Sequence, residues 1–505
     1  MNHKDYLVGI DIGSSKIVMA VGARNEDNES ISVLGVEVQE LDGCVKDGDI
    51  VNYIELGNAI NKAKEALEKE LGRRLNSAYV GVSGRSVYCV RYEDFVDISD
   101  KTGCVTENEL RELNSRIEMV TPSASDIIID RIPLRYRIDD RQVVKNPLGS
   151  YGKKLSATYL FVLAGKQLVD FVNRALFRAD MKVCGLCVTP TIHPDLLLSE
   201  AEKEDGVAIV DIGGDLTDIS VVREGKLCYF SSLPIGASSI NDDLQEFLRT
   251  TKKNVDPLKR KYGSAIAECV PDDTTVPVKT AGHAKKQILQ RNIAEIAEER
   301  LKDIAGFVAR ELKAANFSTK ILGGVVLTGG SVYLENIDKL FARELQMEVR
   351  LGSMLYGIDD NSQESVSAFA QASVIGLLLY GSKHNACETM PEYRGATPTA
   401  VPTPESKAER PTDIFTQPHE GQKVENPTPT PVEEVEKPQT PQPSQSLKTE
   451  PDTEVEKLYT ENDEERKTEV ELSEKPKKEG LSSRFKGFMN RFRNRVDDMF
   501  TDEYI

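Results

Sequence analysis

The sequence of 505 residues has no excess of basic charge; its formal net charge is −18 and its pI is near 5.0. Nucleic acid is therefore not expected as a partner, because a phosphate backbone selects for basic surfaces. The eight cysteines form no closely spaced framework of the kind small secreted domains use, and a core this large does not need disulfides. The start, Met1-Asn2-His3-Lys4-Asp5, lacks the apolar stretch of a signal peptide. The longest apolar runs, such as 374–380, are far too short to span a bilayer. These absences lead us to expect a cytoplasmic protein with reduced thiols. No G-x-x-x-x-G-K-[ST] occurs, which excludes a P-loop, and no G-x-G-x-x-G opens a helix after a strand.

What is present falls into three regions. Residues 1 to about 385 read as a folded α/β region, with β-rich runs at 6–12, 207–212 and 324–327 alternating with helical patterns at 54–71 and 293–312. The segment 388–479 is rich in acids and holds 14 of the 23 prolines, so it cannot bury enough apolar surface to offset chain entropy. It reads as a disordered tether of roughly 90 residues. A pattern then returns. Leu481, Phe485, Phe488, Met489, Phe492, Val496 and Met499 make one stripe of a 3.6-residue helix, capped by Ser482 or Ser483. Arg484, Lys486, Arg491, Arg493 and Arg495 stand between them. Such a helix either docks on a protein groove or lies in a lipid headgroup layer. Its place beyond a tether, and a basic polar face on an acidic chain, favour anionic lipid, where each cation contributes about 1 kcal/mol. Gly487 at mid-helix costs about 1 kcal/mol, so the helix is expected to form on contact with the membrane.

Two stretches of the folded region repeat one another about 200 positions apart. The first is Leu7-Val8-Gly9-Ile10-Asp11-Ile12-Gly13-Ser14-Ser15-Lys16; the second is Ala208-Ile209-Val210-Asp211-Ile212-Gly213-Gly214-Asp215-Leu216-Thr217-Asp218. Each is an apolar strand, an Asp-Ile-Gly turn, and a second strand. Gly-rich turns let backbone N–H groups approach phosphate oxygens, hydroxyls add donors, and an Asp at a strand end can hold the waters of a Mg²⁺ ion. A third element, 323–331, runs an apolar strand into Gly329-Gly330-Ser331, where glycines let a flat adenine pack on the backbone.

In this order the three motifs resemble the two phosphate signatures and the adenosine signature of the actin, sugar-kinase and DnaK-chaperone superfamily. Within it the arrangement is similar to the FtsA family of bacterial cell-division proteins, with further support from 79–84, 233–236, 258–263 and 370–378. The resemblance implies an actin-like two-lobed α/β ATPase fold with an inserted subdomain. The first lobe would span 1–84 with 166–194 and about 355–385, and the insertion 85–165, of βα type. The second lobe would span 195–354, with a smaller subdomain at about 237–300. The tether (386–479) and a membrane-targeting helix (480–505) would follow.

The resemblance further implies ATP and Mg²⁺ between the lobes. Asp11, Asp211 and Asp218 would organise Mg²⁺ through water. Gly13, Ser14, Ser15, Lys16, Gly213, Gly214 and Thr217 would contact phosphates, and Gly329, Gly330 and Ser331 the adenosine. Asp256 and Lys259 fall where relatives hold the ribose and adenine; the other reading is a solvated helix start with Asp256 capping before Pro257. The implied role is an adaptor rather than an enzyme. It would polymerise with itself, bind the C-terminal peptide of FtsZ, and hold division proteins to the cytoplasmic face of the inner membrane at the division site. A sugar kinase, a DnaK-like chaperone and a PilM-like pilus-assembly protein are the rivals. Asp215 replaces a third glycine and adds a carboxylate near the γ-phosphate. Thr189-Pro190 stands where relatives carry Glu-Pro, which removes a carboxylate that could orient the attacking water. Hydrolysis is therefore expected to be weak. Lys252, Lys253, Lys259, Arg260 and Lys261 form either an FtsZ-binding patch or a solvated helix face. Cys184-x-x-Cys187 lies in an apolar run and reads as buried structural thiols. His193-Pro194 reads as a loop or helix start.

Overall fold

The computed structural model describes residues 6–25, 30–279, 285–317, 320–353 and 355–384; the expected tether and terminal helix lie outside these. Two five-stranded sheets share one topology. The first runs Lys182–Val188, Ser77–Val82, Tyr6–Ile12, Lys16–Arg24, Ile31–Glu40; the second runs Val349–Leu351, Val325–Thr328, Val207–Ile212, Thr217–Arg223, Lys226–Leu233. In each, three antiparallel strands form a meander, and two later strands add in parallel beside the first. The strands Lys16–Arg24 and Thr217–Arg223 are buried along nearly their whole length, as continuous apolar runs covered on both faces must be. The motif repeat is thus a repeat of fold: an actin-like molecule of two lobes.

Helices complete each lobe. Tyr53–Leu71 starts on Asn52, whose side chain accepts from the N–H groups of Ile54 and Glu55, and stops at Gly72 in the left-handed conformation. Its counterpart in the second lobe is the 25-residue helix Gln290–Ala314. The helix after each sheet crosses to the other. Thr189–Leu197 packs on the strands of the second sheet, whereas Ala372–Lys383 packs on the first, and the two helices touch each other. The touch is close because Gly376 has no side chain; a Cβ there would meet Ile192 at 3.3 Å. Among the described residues no helix is long and apolar enough to cross a membrane.

An inserted subdomain stands between Ser77–Val82 and the helix Lys166–Arg178. It is an antiparallel sheet in the order Val87–Asp97, Lys154–Gly165, Asp126–Ile138, Gln142–Val144. One helix, Glu107–Met119, lies on it, opened by a capping box between Thr106 and Glu109. Leu113, Ile117, Leu155 and Tyr159 fill its own small core. It is richer in strand than the βα pattern expected. A second addition carries the helices Ser238–Leu248 and Lys252–Tyr262 and the hairpin of Thr275–Lys279 with Lys285–Leu289. Arg300 of the long helix is tied there by a buried bidentate pair to Asp243 at 2.9 and 3.2 Å. Pro257 sits inside Lys252–Tyr262, whose N-cap is Thr251, so Asp256 is mid-helix and caps nothing.

Candidate functional site

The two repeated turns are built alike and face each other. Gly13 N–H donates to the Lys16 carbonyl at 3.1 Å, and Gly213 N–H donates to the Leu216 carbonyl at 2.9 Å. A Cβ on Gly214 would lie 3.3 Å from Ser15 Oγ, so the turns approach to van der Waals contact across the cleft. The helix Ser238–Leu248 is fastened behind the second turn, with Ala237 and Ser238 N–H groups donating to the Gly213 and Gly214 carbonyls. Ser331 Oγ donates to the same Gly213 carbonyl at 3.3 Å and brings the third motif into the site. Gly329 has φ +97, and a Cβ there would collide with Asp211 Oδ1 and the Ile212 backbone. Only glycine lets the chain turn so close to that carboxylate.

Asp11, Asp211 and Asp218 stand at the floor of this cleft. Asp211 pairs in register with both Asp218 and Thr328. Burial, then Asp211, pushes the Asp11 carboxyl up to about 7, with Lys16 pulling the other way. Burial raises Asp211 to about 6 against the opposing Ser373 hydroxyl and Lys16, and burial with Asp211 raises Asp218 to about 7. Burial lowers Lys16, and Asp11 opposes it. Asp218 is buried and Asp11 and Asp211 half-buried, and Lys16 offsets the charge of the latter two while its Nζ also donates to the Ala370 carbonyl at 3.4 Å. Such a set is short of positive charge. Thr328 Oγ1, beside Asp211, is buried without a hydrogen-bond partner among the described residues. Among the described residues no three His, Cys, Asp or Glu side chains converge as direct metal ligands. Carboxylates short of countercharge can attract a hard cation.

Other residues take places the sequence did not indicate. Thr217 is fully buried and its hydroxyl donates to the Ile235 carbonyl at 2.7 Å, so it holds the turn from behind instead of facing the cleft. Asp256 lies close enough to Lys16 to act on its charge, as does Arg260. Lys259 turns inward, 3.3 Å from both Asp256 and the Ala237 carbonyl. It leaves the basic patch, where Lys252, Lys253, Arg260 and Lys261 remain exposed. His193 is neither loop nor helix start but a buried residue of Thr189–Leu197. Its Nε2 lies 3.2 Å from Ser373 Oγ and 3.5 Å from Asp211 Oδ2. Burial lowers its pKa to about 4, so it is a neutral neighbour of the carboxylate. Ser232 Oγ donates to Asp218 at 2.5 Å and Ser83 also hydrogen-bonds it. Thr189 Oγ1 and Asp11 Oδ1 both border Gly81. Cys187 is buried and its thiol is pushed up to about 12 by that burial, while Cys184 is disulfide-bonded and not the free thiol expected.

Known proteins share this architecture. The family model described as "Cell division protein FtsA" matches residues 208–376, and that described as "SHS2 domain inserted in FTSA" matches residues 84–163. The cell division protein FtsA of Bacillus subtilis (strain 168) is 29% identical over 362 residues, covering 71% of this chain and 81% of that protein. The corresponding protein of Pseudomonas aeruginosa is 28% identical over 378 residues, covering 74% and 89%. Among solved structures, the PilM-PilN type IV pilus biogenesis complex aligns with a TM-score of 0.52 at 15% identity, covering 74% of this chain and 98% of that one. That last likeness is one of fold.

Proposed function

The chain belongs to the FtsA family of cell-division proteins, and we propose that it binds ATP with Mg²⁺ in the cleft and serves as a cytoskeletal adaptor. The observation that carries the nucleotide is the meeting of two identically closed Gly turns, Ser15 against Gly214, beside Asp11, Asp211 and Asp218. Backbone N–H groups of Ser14, Ser15 and Gly214 and the Ser14 and Ser15 hydroxyls contact the phosphates, with Lys16 as a point charge, while Gly13 and Gly213 close the turns and let the phosphates approach the backbone. Asp11, Asp211 and Asp218 hold the hydrated Mg²⁺, which supplies the positive charge that phosphates and acids share. Gly329, Gly330 and Ser331 border the adenosine, with Asp256 and Lys259 toward the ribose. Thr217 acts behind the turn.

ATP serves here as a ligand of conformation and self-assembly more than as a fuel. Thr189 offers no carboxylate to a water, and Asp215 adds negative charge. The adaptor binds the FtsZ C-terminal peptide, polymerises, and is held to anionic inner-membrane lipid by Leu481, Arg484, Phe485, Lys486, Phe488, Met489, Arg491, Phe492, Arg493 and Val496. One helix is a weak, reversible anchor, so firm attachment depends on many copies in a filament. Two measurements test this reading. Titration with a fluorescent ATP analogue and Mg²⁺ should give saturable binding that Lys16→Ala weakens; equal affinity of both proteins would remove the assignment of Lys16. Co-sedimentation with anionic vesicles should pellet the intact chain but not a chain ending at Glu479, and equal pelleting would remove the anchor.

A further inference from the structure

The outer strand of the second sheet, Lys226–Leu233, pairs with Thr217–Arg223 on one edge. Its other edge meets the first lobe and the base of the insertion without a backbone ladder among the described residues. Side chains bridge the gap instead. Gly84 N–H donates to Ser232 Oγ at 3.4 Å, the Cys89 thiol to the Phe230 carbonyl at 3.3 Å, and Arg91 Nη2 to the Cys228 carbonyl at 3.3 Å. Positions rise on one side as they fall on the other, so the two segments run antiparallel. Farther along, Lys226 Nζ donates to the Leu134 carbonyl at 3.0 Å, and the Arg91 guanidinium lies over the Phe317 ring at 5.7 Å. At the inner end Ser232 Oγ donates to Asp218, 2.5 Å away, at the floor of the cleft. One line of contacts therefore connects a cleft carboxylate to the root of the insertion.

An open strand edge invites pairing, and a backbone ladder would close it permanently. A seam of side-chain bonds covers the edge yet can part without unzipping a sheet. We propose that this seam is a clasp between the insertion and the second lobe, tightened when nucleotide draws the lobes together and loosened when the cleft empties. The proposal rests on the nucleotide reading of the cleft. By linkage, whatever reseats the insertion on Lys226–Leu233 changes nucleotide affinity by the same factor that nucleotide changes the seating. The insertion is then an effector site for the cleft.

Two cysteines inside the seam report on it in the full-length protein. Cys89 and Cys228 are free and half-buried, and Cys269, also free, is exposed away from it. Alkylation by iodoacetamide, followed residue by residue by mass spectrometry, is compared with and without Mg²⁺ and a slowly hydrolysed ATP analogue. Bound nucleotide is measured in the same samples. The clasp requires alkylation of Cys89 and Cys228 to slow by about 5-fold or more relative to Cys269, the low end of ordinary coupling between sites. An unchanged ratio with nucleotide bound overturns the clasp and leaves the nucleotide site standing; no bound nucleotide overturns both. The reciprocal arm uses Arg91→Ala with Lys226→Ala, which should speed analogue release by a similar factor of about 5. Unchanged release, with wild-type thermal stability, would also overturn it.

Discussion

Gly214 and Ser15 belong to different lobes, yet a Cβ on the glycine would stand 3.3 Å from the serine hydroxyl. Ser238 Oγ lies at the same distance from that Cβ. Both neighbours are small side chains that can give way. Gly214→Ala is therefore expected to fold with little change in melting temperature but to wedge the turns apart. Affinity for an ATP analogue should fall by about 10-fold, equal to about 1.4 kcal/mol. Fluorescence titration beside a thermal melt checks it, and a large loss of stability with unchanged affinity would contradict it.

Gly329 behaves differently, because a Cβ there would meet the Asp211 carboxylate and the Ile212 backbone and its φ is +97. Gly329→Ala should cost stability outright, on the order of 2–4 kcal/mol from strain and displaced backbone. Urea unfolding measures this, and the loss should appear with or without nucleotide.

The cleft acids set a pH dependence whose sign is fixed. Asp11, Asp211 and Asp218 titrate near 7, 6 and 7 in the fold, against 3.8 ordinarily. The folded chain thus binds protons that the unfolded chain has released. Stability from these protonated groups is fully present below about pH 4 and is lost as pH rises through about 7. Without ligand, Asp218→Asn should therefore raise the melting temperature at pH 8 more than at pH 5, and it should weaken Mg²⁺-dependent nucleotide binding. An equal effect at both pH values would show that the acid is not held protonated.

His193 contributes the opposite limb. Burial lowers it from 6.5 to about 4, so its contribution is present above about pH 6.5 and is lost as pH falls through about 4. His193→Gln keeps a polar neighbour for Ser373 and cannot take the extra proton. The variant should lose less stability than the parent between pH 6.5 and 4, as read by urea unfolding.

Turnover gives the last test. With Thr189 in place of a carboxylate, ATP hydrolysis should stay below about 1 s⁻¹ under saturating Mg²⁺-ATP, an order of magnitude under the typical enzyme. A phosphate-release assay on the full chain measures this, and a faster rate would require a water-orienting group elsewhere.

The sequence shows the parts of the site that are local. Asp11 with Gly13 and Asp211 with Gly213 each sit in a single turn, and duplication makes the pair visible at about 200 positions' separation. Asp218 is legible too, because the hairpin that follows Asp211 must bring it back beside that residue. His193, Ser83, Ser232 and Ser373 were not legible. Ser83 and Ser373 fall in stretches that support the resemblance, yet each of the four arrives from a distant element, and its local pattern does not say that it will stand beside a cleft carboxylate. Two prolines, Pro190 and Pro194, argue for a break around His193, but Pro190 stands in the first turn and tertiary contacts keep the rest helical. Thr217 misled for the reverse reason: its type and position suit a phosphate, yet its hydroxyl donates to the Ile235 carbonyl.

The exchange of helices between the two sheets also governs how the chain can be made. Gly9 lies where a Cβ would meet the Val374 carbonyl at 3.0 Å, so the first strand of the described core is sealed by its last helix. An emerging N-terminal half keeps one face of its sheet open until residues 372–383 leave the ribosome. Folding to completion is then tied to the end of core synthesis, and separately produced halves should be aggregation-prone rather than independently soluble.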